Sequence, residues 1–229
     1  MMVTANYEGM PTRVEAVEVP VADDGTWVAD VPAWGWLRAI DVDAEDAEIT
    51  GITAGTRNLI VGPVGAGWRA SDFVDGPLRT ALHGLHAPVG TSVRVQGRVN
   101  GLATCGKIGV AIQSGSHAAA SPRQVVILGE RVGDQVAVLR APEDGVIKAI
   151  CFDGPACIHV LVVGERFPLG GHRWGSWAFE RNGPFADILA GMRLSAGFAV
   201  RVGFSTADWP ASVPFPRVAL VMAVGGADV

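Results

Sequence analysis

The densest set of oxygen ligands in the chain is the run Asp41-Val42-Asp43-Ala44-Glu45-Asp46-Ala47-Glu48. Hard cations such as calcium take about six to eight oxygens. A calcium loop of the EF-hand kind needs glycine where Asp46 stands and a bidentate glutamate where Ile52 stands. The run therefore reads as a strand edge or solvated loop. Asp41, Asp43, Glu45, Asp46 and Glu48 together form a candidate acidic docking surface for basic groups. Cys151, Cys157 and His159, with Asp153 nearby and Cys105 further off, invite a zinc reading. Structural zinc uses closely paired ligands such as Cys-x₂₋₄-Cys, whereas five residues separate Cys151 from Cys157. Both cysteines border apolar runs, where a free cysteine packs as a small hydrophobe. No metal is expected.

The histidines give no catalytic set. His83 and His86 stand three apart without a supporting carboxylate. His172 sits at a loop–strand junction, and His117 lies in the polar stretch Ser114-Gly115-Ser116-His117. Neither serine is flanked by the strand–turn–helix pattern of a nucleophile elbow, and no orienting acid can be assigned. The glycine-rich stretch Gly62-Pro63-Val64-Gly65-Ala66-Gly67 lacks the rest of a dinucleotide fingerprint, and Gly101 to Lys107 lacks the order of a phosphate loop. No catalytic or cofactor-binding residue is assigned, and no cofactor is expected. The tryptophans are more informative. Trp34 and Trp36 are two apart, so a strand would turn both to one face; Trp174 and Trp177 are three apart. Such side chains can stack on a sugar, anchor a partner subunit or close the ends of a core.

The elements that would position these residues are strands. Val93, Val95, Gly97 and Val99 alternate with polar residues, as do Phe198, Val200, Val202 and Phe204 with Arg201 and Ser205 among the intervening positions. Further strands are expected over Arg13–Val21, Thr26–Val31, Trp34–Asp43, Arg57–Val61, Lys107–Gln113, Gln124–Leu128, Gln135–Arg140, Val146–Cys151, Ile158–Val163, His172–Phe179 and Val218–Val224. Asn100-Gly101 and Asp144-Gly145 are hairpin signals. One helix is expected after Asp75-Gly76-Pro77, with Leu78, Ala81, Leu82 and Leu85 on a face. A second, over Pro184 to Ala190, would use Phe185, Ile188 and Leu189. The expected architecture is all-β: a β-sandwich, jelly-roll-like, with one or two short helices. A single elaborated domain over 1–229 is expected; the alternative is a small β-module over 1–65 before a main sandwich over 66–229.

Composition bounds the function. The 49 % hydrophobic content excludes disorder, and thirty glycines without a three-residue period exclude collagen. Three cysteines do not make a disulfide framework. The net charge of −5 argues against a surface that grips nucleic acid throughout. Residues 1–50 carry eleven acids against Arg13 and Arg38, a net of −9, whereas residues 51–229 carry +4. This polarity is either absorbed within one fold or sets one subunit's acidic end against another's basic surface. Two lysines and 18 % charged residues resemble the composition of a subunit interface. The longest apolar run, Val218 to Val224, is too short for a membrane helix. With no signal peptide apparent, cytoplasmic synthesis is expected. The sequence thus points to a non-enzymatic structural subunit of a large homo- or hetero-oligomer, of the kind that forms a virion capsid or tail, with nucleic acid near it only by packaging. Its competitors are a carbohydrate-binding β-sandwich using the tryptophans and a small hydrolase using His117 or His83 as base.

Overall fold

The computed structural model describes residues 3–7, 10–43, 46–74, 78, 85–101, 105–113, 123–169, 173–179, 183–205 and 215–225. Strands dominate them. They divide into two compact units: Met1–Ile60 with Gly65–Val125, and Val61–Val64 with Val126–Val229.

In the first unit the strands are β1 (Val3–Tyr7), β2 (Met10–Pro20), β3 (Thr26–Asp43), β4 (Ala47–Ala54) and β5 (Arg57–Asn58). After β6 (Ile60–Val61), which belongs to a sheet of the second unit, come β7 (Trp68–Arg69), β8 (Leu85–Val99) and β9 (Cys105–Gln113). They form one eight-stranded sheet in the order β1-β2-β9-β3-β8-β4-β5, with β7 also paired to β4. The segments Thr26–Val31 and Trp34–Asp43 are one continuous strand, not two. Pro32 is tolerated inside it because this half of β3 pairs with β8 alone among the described residues.

Alternation sets which face of β3 is dry. Trp27, Ala29, Val31, Ala33 and Leu37 are buried, while Val28, Asp30, Pro32 and Trp34 are exposed. At Arg38 the strand gains one residue against β9: Leu37 opposes Ile112, but Ala39 opposes Ala111. This bulge moves the core-facing set from odd to even numbers, so Ile40 is buried next. Strand β4 makes the same switch at Thr50, with Ala47 and Ile49 buried before it and Ile52 and Ala54 after it. Trp27 directly opposes Gly97 on β8. A Cβ at Gly97 would overlap the Trp27 indole and the Glu48 carbonyl oxygen, so glycine is required for the ring to lie there. Beyond β7, the helical turn α1 (Ser71–Val74) buries Phe73, and the indole N–H of buried Trp68 donates to Asp72 Oδ2 at 2.5 Å.

The second unit is built on β10 (Arg123–Leu128), β11 (Glu130–Val132), β12 (Val136–Arg140), β13 (Gly145–Asp153), β14 (Cys157–Val163), β15 (Arg166–Leu169), β16 (Trp174–Gly175), β17 (Arg193–Leu194), β18 (Ala199–Phe204) and β19 (Arg217–Val224). One sheet has the order β17-β13-β19-β10-β6. The other has β11-β12-β18-β14-β15, with β16 also on β14. The chain passes between the sheets from β10 to β12, β13, β14, β17, β18 and β19. With β10-β19-β13-β17 on one side and β12-β18-β14-β15 on the other, this is the doubled Greek key of a jelly roll. The expected all-β, jelly-roll-like sandwich is present. Phe152 on β13 and Phe204 on β18 meet across the sheets at 6.3 Å, and Phe152 also packs on Phe179 at 5.5 Å. The apolar run Val218 to Val224 is β19, which is buried on both faces and so shows no alternation.

The turns depart from expectation. Asn100-Gly101 joins β8 to β9, which lie on either side of β3, and Asp144-Gly145 joins strands of different sheets. Neither makes a hairpin. Two-residue hairpin loops occur instead at Gly55-Thr56 and Gly164-Glu165, where Ala54 pairs with Arg57 and Val163 with Arg166. The glycines have φ of 60° and 57° and the next residue is not left-handed, the pattern of a II′ turn. Over Pro184–Ala190 the expected helix is a run of turns with three-residue bonds, such as Ile188 N–H to the Phe185 carbonyl. The expected helix after Pro77 lies largely outside the described residues, and Leu85 already belongs to β8. Over His172–Phe179 the described part is β16 followed by a 3-10 turn, Ser176–Phe179.

Candidate functional site

Trp34 and Trp36 do fall on one face of β3, the face turned away from the core. Trp34 is 40 % exposed, with the Arg13 guanidinium 4.7 Å from its ring centroid, and Arg13 in turn pairs with Glu15 at 3.0 Å. One ring face of Trp34 is thus already taken by a cation. Trp36 is half-buried. Trp174, also half-buried, stands edge-on to Phe185 at 4.6 Å. From there a line of rings continues through Phe179, Phe152 and Phe204 to Phe215, which is capped by the Arg131 guanidinium at 4.5 Å. Trp174 therefore closes a packed aromatic line. Trp177 is different: it is 60 % exposed, and its indole lies over Gly175, where a Cβ would come within 2.5 Å of the ring.

Two exposed aromatics had no signal in the sequence. Phe167, on the edge strand β15, is 72 % exposed. Phe198 was expected to share the dry face of Val200, Val202 and Phe204; those three are buried, but Phe198 precedes β18 and is 53 % exposed. Its ring lies 3.6 Å from where a Cβ on Gly164 would stand, at the β14–β15 turn. Phe167 and Phe198 therefore mark the same end of the six-stranded sheet. Trp177 follows β16, which pairs with the opposite end of β14 at Cys157 and Ile158.

Residues 51–125 carry seven basic side chains against two acids, which offsets part of the acidic excess of residues 1–50 within the first unit. Asp30 and Arg94 face each other across β3 and β8 and form a two-pronged pair at 2.9 and 3.0 Å. The Arg94 hydrogen bond holds the Asp30 carboxyl below its ordinary range; burial opposes it, and the Arg94 charge adds to the lowering. Glu48 opposes Arg98 and receives its Nε–H at 2.7 Å, while Arg98 also donates to the Gly65 carbonyl. Lys107 on β9 stands between Glu18 on β2 and Asp43 on β3. Of the acidic run, Asp41, Asp43 and Asp46 are exposed, Asp46 in a left-handed conformation at φ 54°. Glu45 lies outside the described residues.

Cys151, buried on β13, and Cys157, half-buried on β14, belong to different sheets, and neither is in a disulfide. His159 occupies a bulge of β14, its ring against the backbone of Gly203, and its Nδ1 is buried without a hydrogen-bond partner among the described residues. His83, His117, His172 and the side chains of His86 and Cys105 lie outside the described residues. Among the described residues no three His, Cys, Asp or Glu side chains assemble into a ligand set. No described helix is long and apolar enough to cross a membrane.

The chain is similar to the crystal structure of the major capsid protein P2 from bacteriophage PM2. The TM-score is 0.48 and the identity 9 %, over 93 % of this chain and 99 % of that one. No family model and no curated protein sequence matches the chain.

Proposed function

We propose that the chain is a non-enzymatic structural subunit of a large assembly, of the virion shell or tail kind. The observation that carries this reading is the exposure of Phe167, Trp177 and Phe198 on a jelly roll whose core is already filled. Aromatic side chains at the centre of a protein–protein interface supply most of its binding energy. Jelly rolls serve virion shells, lectins and cupins alike, so the fold alone does not choose among them. The scarcity of lysine and of charge overall favours burial between subunits. In this reading the exposed acids Asp41, Asp43 and Asp46 of the first unit meet basic groups of a neighbouring subunit.

The test is the mass of the native protein by light scattering, with electron microscopy of the same material. A large symmetric particle is expected. Replacing Phe167, Trp177 and Phe198 by serine together should shift the mass toward the monomer while the far-ultraviolet circular dichroism is unchanged. A wild-type protein that stays monomeric across concentration and ionic strength would overturn the reading. The exposure of Trp177 also suits a carbohydrate platform. That reading requires a glycan-dependent change in tryptophan fluorescence that is lost in Trp177→Ala.

A further inference from the structure

Four dipeptides among the described residues have the form Asn-Gly or Asp-Gly: Asp24-Gly25, Asn100-Gly101, Asp144-Gly145 and Asp153-Gly154. In all of them the backbone nitrogen of glycine can attack the preceding side-chain carbonyl carbon, because glycine has no Cβ to block the approach. The attack needs a free side chain and a backbone nitrogen that is not held. In three of the four the structure withholds one or both. The Asp24 carboxylate accepts from the Thr26 backbone at 2.9 Å and hydroxyl at 2.6 Å, and the Gly25 N–H donates to the Ala22 carbonyl at 2.8 Å. The Asp144 carboxylate accepts the Ala196 N–H at 2.7 Å, while Gly145 is buried in β13 with a Cβ position 2.5 Å from the Ala223 carbonyl oxygen. Asp153 is held by Arg217, whose Nε–H reaches it at 2.6 Å.

Asn100-Gly101 has no such restraint. Both residues are exposed on the bend after β8, and a Cβ on Gly101 would meet nothing within 4 Å. The Asn100 backbone N–H donates to the Asp46 carbonyl at 3.5 Å, and among the described residues neither the Asn100 side-chain amide nor the Gly101 N–H has a hydrogen-bond partner. It is also the one of the four with an amide, whose nitrogen leaves as ammonia; a carboxylate has no comparable leaving group.

We propose that Asn100 is a site of spontaneous self-modification. The Gly101 nitrogen bonds to the Asn100 side-chain carbonyl carbon, and the bond from that carbon to the amide nitrogen breaks. Ammonia departs with the proton lost by the attacking nitrogen, which leaves a five-membered succinimide. Water then opens either ring carbonyl, giving aspartate or isoaspartate at position 100. No oxidant or reductant is needed. The product adds a negative charge next to Asp46, and the isoaspartyl form adds a methylene to the backbone between β8 and β9.

A second Asn-Gly pair, Asn182-Gly183, supplies an internal comparison. Gly183 is packed, since a Cβ there would overlap the carbonyls of Trp177 and Ala178, and its own carbonyl accepts the Ala186 N–H. The test is to age the intact folded protein in mildly alkaline buffer and follow the tryptic peptides 99–107 and 182–193 by mass spectrometry. Peptide 99–107 should gain the mass of an amide-to-carboxyl exchange several-fold faster than peptide 182–193, and should split into aspartyl and isoaspartyl forms. In denaturant the two rates should converge. Gly101→Ala should slow the change at Asn100 without altering the circular dichroism. Equal rates in the folded protein, or a change at Asn100 seen only in denaturant, would overturn the proposal.

Discussion

Replacing Gly97 by alanine tests the packing at the centre of the first sheet. The added methyl would overlap the Trp27 indole and the Glu48 carbonyl oxygen. The indole is a buried side chain opposite Gly97 in register, so it can move only by disturbing the core. The carbonyl belongs to β4, and its displacement strains the β4–β8 ladder. Overpacking of a filled core costs about 1–3 kcal/mol, and an obstacle made partly of backbone puts Gly97→Ala toward the upper end. A loss of about 3 kcal/mol moves a urea midpoint by about 1–3 M, given typical slopes of about 1–3 kcal/mol per molar. The assay is urea unfolding followed by circular dichroism, with attention to two steps because the chain forms two compact units. Only the step belonging to the first unit should move. Trp27→Ala removes one of the two obstacles, so the double variant should cost less than the sum of the singles. A Gly97→Ala protein within about 0.5 kcal/mol of the wild type, or strict additivity with Trp27→Ala, would refute this account of the packing.

Asp72→Ala should cost about 1–3 kcal/mol by leaving the buried Trp68 indole N–H without its acceptor. Asp72→Asn, which keeps an acceptor oxygen, should cost less in the same denaturation assay. Phe152→Ala should cost about 3–5 kcal/mol and lower the unfolding step of the second unit, because Phe152 joins its two sheets. The folded Asp30 and Asp24 carboxyls lie below their ordinary range, Asp30 through Arg94 and Asp24 through hydrogen bonds from Thr26. Their contribution is complete above the ordinary carboxylate range and is lost as pH falls through the folded values. Asp30→Asn should therefore flatten the acid side of a stability-versus-pH profile slightly, and added salt should shrink the difference.

Much of the fold was legible because half-buried strands print their geometry on the sequence. Strand β8 announces itself through Val93, Val95, Gly97 and Val99. Strand β3 was harder, because Pro32 and Gly35 look like breaks, and the bulge at Arg38 reverses the alternation that a reader counts on. Strand β4 was hidden: its first residues belong to the acidic run, and its own bulge at Thr50 interrupts the period. Asn-Gly and Asp-Gly were poor guides to hairpins, since a turn sequence fixes a local bend and not which strands pair afterwards. The candidate surface was half legible. The spacing of Trp34 and Trp36 correctly placed them on one face, whereas the cation on Trp34 and the ring beside Trp174 depend on contacts between distant segments. Phe167 and Phe198 were missed because an aromatic at the end or edge of a strand carries no periodic sign of its exposure.

The short strand β6 has a bearing on how the chain can be divided. It is contributed by residues that precede β7, β8 and β9, yet it lies beside β10 at the border of the jelly-roll sheet. The second unit is therefore discontinuous in the gene. A fragment starting at residue 126 would lack both β6 and the first residues of β10, and its bare strand edge would invite pairing with other copies. The loop at Gly62 to Gly67, by contrast, carries the fully exposed Val64. A nick there cuts no strand, so the two pieces should stay together and behave as a complemented whole.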